Sequence, residues 1–192
     1  MKRGGGKWNR KAKAHIFDGN AEERIDEIIV TGSITVPKDD YNYFPTSIKY
    51  VNRMVANAQL RDGDMFLEPS CGDGRIAIAA AAAAQLTITA IELDPKRIDY
   101  LKQDSAFVKS RASLVEGDFL AFQTTKMFDV IIMNPPFRNK ADVKHVNHAL
   151  DMLVKNGRMQ AIMSAGVKFR TDKLTEAFRE RVFSLGGVFD EM

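Results

Sequence analysis

The residues best suited to chemistry stand together in Asn134-Pro135-Pro136-Phe137, directly after the apolar run from Met127 to Met133. Two prolines end strand pairing because neither donates an N–H. A side-chain amide, two prolines and an aromatic ring at a strand's carboxyl end also form a specific chemical set. An amine conjugated to a ring is a poor nucleophile, since its lone pair is delocalised. Two acceptors aimed at its hydrogens draw the nitrogen toward a tetrahedral form and stabilise the positive charge that develops. Asn134 offers one acceptor through its side-chain carbonyl. Pro135 offers the other through a backbone carbonyl that the prolines lock in place. Phe137 adds a flat apolar surface, where stacking of a base is worth about 1–3 kcal/mol.

A second group lies upstream. Gly72-Asp73-Gly74-Arg75-Ile76-Ala77 fits G-x-G-x-x-A between an apolar run (Met65-Phe66-Leu67) and a helix. Glycines there allow a tight turn and close approach of backbone to a ligand. Glu92 follows Gly72 by twenty residues, where a carboxylate can accept two hydrogen bonds from a ribose diol. This arrangement suits any nucleoside cofactor, NAD included. Glu68-Pro69 stands just before the glycines and leans away from NAD. A carboxylate there repels a pyrophosphate and suits an ammonium or a sulfonium.

The elements needed to position these groups are legible as well. Ser47 can cap a helix with Ile48, Val51, Met54 and Val55 on one face. Strands are expected at Met65–Leu67, Leu86–Glu92, Ala112–Glu116, Met127–Met133 and Arg158–Ser164, with a sixth at Val188–Phe189. Helices are expected from Arg75 to about Ala84, from Pro95 to about Asp104, and at Leu174–Leu185. Another carries Val143, Val146, Leu150 and Leu153 and closes at Asn156-Gly157. The six alanines from Ala79 let a helix approach a sheet closely. Strands alternating with helices predict a parallel sheet covered on both faces, with ligands beyond the carboxyl ends of its strands.

Composition bounds the rest. The chain has 192 residues, 45% hydrophobic and 28% charged, as in an ordinary globular domain. No apolar stretch is long enough to span a membrane, and residues 1–7 lead into no secretory signal. One cysteine, Cys71, excludes an internal disulfide and a multi-cysteine zinc site, and a cytoplasmic location is expected. The net charge of +3 hides an asymmetry. Lys2, Arg3, Lys7, Arg10, Lys11 and Lys13 stand before residue 15 without one acid, so the remainder is net acidic. Residues 1–40 are therefore expected to be a basic, flexible extension, and 41–192 the catalytic domain. Within the extension, Glu22 to Val30 suggests a short helix or strand and Thr31 to Asp40 a loop. Clustered cations and Trp8 would also suit a phosphate-contacting arm.

The glycine segment resembles the first cofactor motif of class I methyltransferases that use S-adenosylmethionine. The resemblance implies an α/β fold, a Rossmann-like, doubly wound, mostly parallel sheet. It places Glu68, Pro69, Cys71, Gly72 and Gly74 beside the methionine moiety. Glu92 is then on the ribose, with Leu93 after it. Asp118, in Glu116-Gly117-Asp118-Phe119-Leu120, is on the adenine amino group, and Phe119 is near the ring. Asn134-Pro135-Pro136-Phe137 is similar to the [N/D/S]-P-P-[Y/F/W] motif of amino-methyltransferases. Tyr43-Phe44-Pro45-Thr46-Ser47 resembles their N-terminal motif, which brings in Phe44 and sets Thr46 on the methionine carboxylate. The order of these motifs is that of the gamma arrangement of DNA adenine-N6 methyltransferases, over about Tyr41 to Phe189.

The implied reaction is methyl transfer to an exocyclic amine, with adenine N6 in DNA the preferred acceptor. The same tetrapeptide also serves adenine or guanine in ribosomal RNA and the glutamine amide of release factors. A further reading is an inactive subunit that binds S-adenosylmethionine. Arg138, Lys140, Lys144, Lys168 and Arg170 follow the motif strands and could line a nucleic-acid channel. His145 and His148 share a helix face without further ligands at metal spacing, so they are expected to hydrogen-bond at the loop–helix junction. The family usually has a seventh strand, and the chain stops five residues after Gly187. A version lacking the last strand is therefore expected, with a sheet edge open to a protein partner or to self-association.

Overall fold

The computed structural model of the chain describes residues 7–9, 14–16 and 43–190. Strands β1 (Lys7–Asn9) and β2 (Ala14–Ile16) pair antiparallel, with Trp8 opposite His15. The expectations for Glu22 to Val30 and Thr31 to Asp40 lie outside the described residues. Among the described residues no helix is long and apolar enough to cross a membrane.

Helix α1 (Ile48–Asn57) buries Val51 and Met54. Ser47 stands at its N-cap, but its hydroxyl makes no capping bond. Its backbone carbonyl accepts from the amides of Tyr50 and Val51, at 3.0 Å each. Then follow β3 (Met65–Pro69), α2 (Arg75–Ala83), β4 (Thr87–Glu92) and α3 (Pro95–Gln103). Asp94 caps α3 by accepting from the Lys96 amide at 2.9 Å, and Pro95 takes the first helical position, where a missing N–H costs nothing. A short α4 (Ser105–Lys109) was not evident in the sequence. Asp104 ends α3 and restarts the helix by accepting from the Phe107 amide at 2.8 Å. The chain continues through β5 (Ser113–Glu116), β6 (Phe128–Met133), α5 (Ala141–Leu150), β7 (Leu153–Ala161) and α6 (Lys173–Ser184).

Strands β3 to β7 form one parallel sheet in the order β5-β4-β3-β6-β7. This is the doubly wound, Rossmann-like architecture. From β3 the chain steps outward to β4 and β5, then returns to lay β6 on the other flank of β3. The crevice between the carboxyl ends of β3 and β6 is thus the switch point where such sheets bind ligands. Alternation along the strands feeds two cores. Phe66, Val130 and Ile132 join one with α1 and α2, including the fully buried Ala77 and, from the alanine run, Ala80. Leu67, Ile131 and Met133 join the other with Val143, Val146 and Phe178.

Two expectations are corrected here. The helix expected to close at Asn156-Gly157 ends at Leu150, and β7 begins at Leu153. Asn156 has φ +63° inside a bulge, where the pairing jumps from Phe128–Leu153 to Val130–Arg158. The Asn-Gly pair, a helix-stop signal in isolation, serves a strand irregularity. The sixth strand at Val188–Phe189 does not form. Phe189 instead sets its ring edge-on to Phe178 and Phe183, at centroid distances of 6.1 and 5.6 Å. Among the described residues β7 is therefore an edge strand.

Candidate active site

One cavity opens at the switch point, between the carboxyl ends of β3, β4 and β6. All four residues of the tetrapeptide line it, as do Phe44, Thr46, Glu68, Cys71, Glu92, Leu93, Asp118 and Phe119. Tyr43, Ser70, Asp73, Arg75, Arg97 and His145 line it too, none of which the sequence singled out for the cofactor. Pro69, Gly72 and Gly74 are not among the lining residues.

The glycine turn is built from backbone conformations that L side chains rarely adopt. Ser70, Gly72 and Gly74 have φ of +90°, +58° and +74°. The amides of Ser70 and Cys71 both donate to the Ile91 carbonyl, at 2.9 and 2.8 Å, which ties the turn to β4. The two glycines differ in purpose. A Cβ on Gly72 would sit 2.3 Å from the Tyr43 ring, so this glycine makes room for the segment crossing above it. A Cβ on Gly74 would sit 2.5 Å from Phe107 and 2.8 Å from Leu101. Gly74 therefore serves packing of α3 and α4 against the start of α2.

Glu92 holds the turn. Its carboxylate accepts from the Gly72 amide at 2.7 Å and from the amides of Leu93 and Asp94 at 3.0 and 2.9 Å. Arg97 lies 3.8 Å from it, bridges Asp94 at 3.0 Å, and stacks over the Tyr43 ring at 4.0 Å. Glu68 is buried and accepts from the Ala77 amide at 2.7 Å. Burial pushes its carboxyl well above the usual range, only partly offset by that amide. Burial, and then Glu68, likewise push the Cys71 thiol upward, so Cys71 is a small wall residue and not a nucleophile. Burial also raises Asp73, but hydrogen bonds led by the Arg75 guanidinium hold it below the ordinary carboxylate range.

Asn134 is the most informative residue. Its Nδ2 donates to the Phe44 carbonyl at 3.2 Å and to Thr46 Oγ1 at 3.0 Å. A backbone carbonyl only accepts, so the amide group is fixed with Nδ2 toward it. Oδ1 is left buried with no hydrogen-bond partner among the described residues. A buried amide oxygen without a donor is a costly arrangement. Phe137 departs from expectation. It is 5% exposed and packs in the core with Val51, Met54 and Ile132. Its ring closes the cavity wall and is not the open stacking platform expected of it.

Across the cavity, Asp118 is spent in part on its own turn, accepting from the Leu120 amide at 2.9 Å. Phe119 is buried and meets the His145 ring at 5.5 Å and the His148 ring at 4.9 Å. Each histidine reaches a neighbouring loop: His145 Nδ1 lies 3.4 Å from Ser70 Oγ, and His148 Nε2 3.2 Å from the Phe122 carbonyl. Burial holds the His145 imidazole down to about 4 from an ordinary 6.5, against the pull of Asp118. The unfolded chain then takes up the proton first. Stability from this group is full above about pH 6.5 and is lost as pH falls toward 4, by at most about 1.4 kcal/mol per unit. Thermal melting across that window checks it. The wild-type Tm is expected to fall more steeply than that of His145→Gln, and equal slopes would assign the loss to other groups.

The cations proposed for nucleic acid stand outside the cavity lining. Arg138 is exposed; Lys140 bridges Asp172 at 2.9 Å and is not a free contact. Lys168 and Arg170 flank Phe169, which is 74% exposed. Their loop is pinned by Arg179, which donates to the carbonyls of Val167 and Arg170 at 2.8 and 2.7 Å. It is also tied to the first turn of α5, since Asp142 accepts from the Ser164 amide and hydroxyl at 3.0 and 2.8 Å. Of these residues Arg138 and Phe169 are exposed, and Lys168 and Arg170 are half-buried.

A family model described as "Methyltransferase small domain" matches residues 51–184. A protein-lysine N-methyltransferase of Saccharolobus islandicus (strain REY15A) is 35% identical over 80 residues, 40% of this chain and 50% of that protein. A putative protein N5-glutamine methyltransferase of Methanocaldococcus jannaschii is 27% identical over 92 residues, 48% of this chain and 46% of that protein. The chain spans about half the length of the curated relatives it matches. Among solved structures, a TehB-like SAM-dependent methyltransferase from Corynebacterium glutamicum superposes with a TM-score of 0.54 at 25% identity, over 71% of this chain and 73% of that one.

Proposed function

The chain belongs to the methyltransferase small domain family, and from that premise we propose that it methylates an exocyclic amine whose lone pair is conjugated, with adenine N6 in DNA as the preferred acceptor. The cofactor is S-adenosylmethionine. The residues present suit it: Glu68 is a buried acid on the cavity wall whose carboxyl complements a cationic ligand, and Glu92, Leu93, Asp118 and Phe119 line the same cavity, which supports a nucleoside beside them. When bound, this group supplies a sulfonium-activated methyl, so the protein needs alignment and electrostatics more than a strong base.

The observation that carries the reading is the orphaned Oδ1 of Asn134. Its partner atom Nδ2 is tied down on two sides, so Oδ1 is presented as a fixed acceptor without reorganisation. An amine hydrogen would satisfy it. Pro135, on the same wall, supplies the second acceptor through its backbone carbonyl. The two together draw the amine out of conjugation and favour the charge that develops as the new N–C bond forms. The nitrogen's surplus proton then leaves to solvent. Phe137 limits the depth to which a planar acceptor enters. For DNA the adenine is turned out of the stack to reach it, with Phe169, Arg138, Lys168 and Arg170 contacting the strand.

The test is incubation of purified protein with labelled S-adenosylmethionine and unmethylated DNA, ribosomal RNA or protein, followed by mass spectrometry of the digests. N6-methyladenine in DNA is expected. Label confined to RNA or protein would overturn the preferred acceptor. Binding of S-adenosylmethionine with no transfer to any of them would reduce the chain to a cofactor-binding subunit. A protein carboxamide is the second reading. It is favoured by the glutamine methyltransferase similarity and by the burial of Phe137, which leaves little ring face for a purine.

A further inference from the structure

We infer that residues 43–46 form a strap through which the glycine turn sets the aim of the Asn134 amide, with Thr46 and Arg75 as positioning residues. The inference rests on the methyl-transfer reading above and adds how the acceptor end of the cavity is coupled to the cofactor end.

Three contacts define the strap. Asn134 uses both protons of Nδ2 on it, one on the Phe44 carbonyl and one on Thr46 Oγ1. Arg75 donates through one guanidinium nitrogen to the Thr46 carbonyl, while its other nitrogens engage the Asp73 carboxylate. The Tyr43 ring fills the space left by the missing Cβ of Gly72 and is clasped from above by Arg97. Asp73 and Arg75 flank Gly74 in the turn itself. A shift of the turn is therefore transmitted through the Thr46 backbone to its hydroxyl, and from there to the amide.

The chemistry of a hydroxyl makes the link directional. Thr46 Oγ1 accepts from Asn134, so its own proton remains to be donated, and Thr46 lines the cavity. An anionic group of a bound ligand that takes this proton leaves the lone pair for Nδ2. Ligand and amide then reinforce each other through one oxygen. Without that oxygen the second Nδ2 proton is buried unpaired and the amide is free to turn.

Thr46→Val keeps the shape and removes the acceptor. At saturating cofactor its turnover is expected to fall roughly tenfold or more, as expected for an unpaired buried donor at a reacting group. Thr46→Ser restores the hydroxyl and is expected to recover turnover to within about threefold. A readout independent of turnover is the side-chain amide signal of Asn134 in nitrogen-15 NMR of the full chain, assigned by its loss in Asn134→Ala. It is expected to shift in Thr46→Val, to shift the same way in Arg75→Lys, and to return in Thr46→Ser. Unchanged turnover at saturation in Thr46→Val, an unmoved Asn134 signal, or a serine variant as poor as the valine overturns the strap. If the wild type transfers no methyl at all, the reading of the site fails, while the Asn134 signal still decides the strap.

Discussion

Asn134→Ala is expected to lose turnover by roughly 10²–10³-fold, the cost of removing one preorganised group aimed at developing charge. Affinity for S-adenosylmethionine is expected to stay within a few-fold of wild type. The separation follows from geometry. The Asn134 side chain contacts the strap through Nδ2 and offers Oδ1 to the cavity, while the glycine turn is held independently by Glu92. Removing the amide leaves the Phe44 carbonyl and the Thr46 hydroxyl short of one donor. That is a stability change of about 1 kcal/mol, too small to unfold the domain. Cofactor titration by calorimetry and single-turnover transfer measure the two halves. A loss of cofactor affinity as large as the loss of turnover would make Asn134 a structural residue of the strap and remove the basis for its role in transfer.

Glu92→Ala is the second large effect, and it acts at the other end. One carboxylate accepts three backbone amides, those of Gly72, Leu93 and Asp94, and also stands beside Arg97. Alanine leaves these amides without their acceptor, those of Gly72 and Asp94 in buried positions, while Arg97 keeps its bridge to Asp94. The expected outcome is a stability loss of about 2–4 kcal/mol, since charged hydrogen bonds and orphaned buried donors are the costly cases. Cofactor affinity is expected to fall by at least about tenfold, because the Gly72 amide loses its acceptor and the turn keeps only the Ser70 and Cys71 bonds to β4. Denaturant melts and a cofactor titration at low temperature, where the variant is folded, separate the two. Normal affinity in a folded variant would mean that Glu92 shapes the turn without contacting the ligand.

Both expectations depend on the same arrangement, in which the protein holds its polar groups ready before ligands arrive. Thr46 and Arg75 belong to that arrangement although neither needs to touch the acceptor. The strap also accounts for Gly72, whose side chain had to be absent for Tyr43 to lie where it does.

Much of this was written in local pattern. The strands that build the sheet are β-branched or apolar runs, the turn residues mark their ends, and the tetrapeptide follows a strand directly. Strand identity is decided largely by which residues suit a buried, pleated surface. The pattern failed where one signal serves two purposes. Asn156-Gly157 reads as a helix stop because both residues tolerate positive φ, and a bulge has the same requirement. Val188-Phe189 reads as a strand by composition, but a strand needs a neighbour to pair with. Here Phe189 finds more apolar contact against Phe178 and Phe183.

The amino-acid sequence by itself determined which residue types stand at the ends of β3, β4 and β6, and hence that a cavity there would hold acids, an amide and aromatic rings. Only the tertiary structure decided how each is turned. Asn134 meets Phe44 and Thr46 across 90 and 88 residues of chain, and the burial of Phe137 depends on Val51 and Met54 of α1, distant in the sequence and in the same core. Backbone periodicity fixes the face on which a side chain leaves the chain. The rotation of an amide, and the choice between wall and platform for a ring, are set by whichever distant groups complete its hydrogen bonds and its packing.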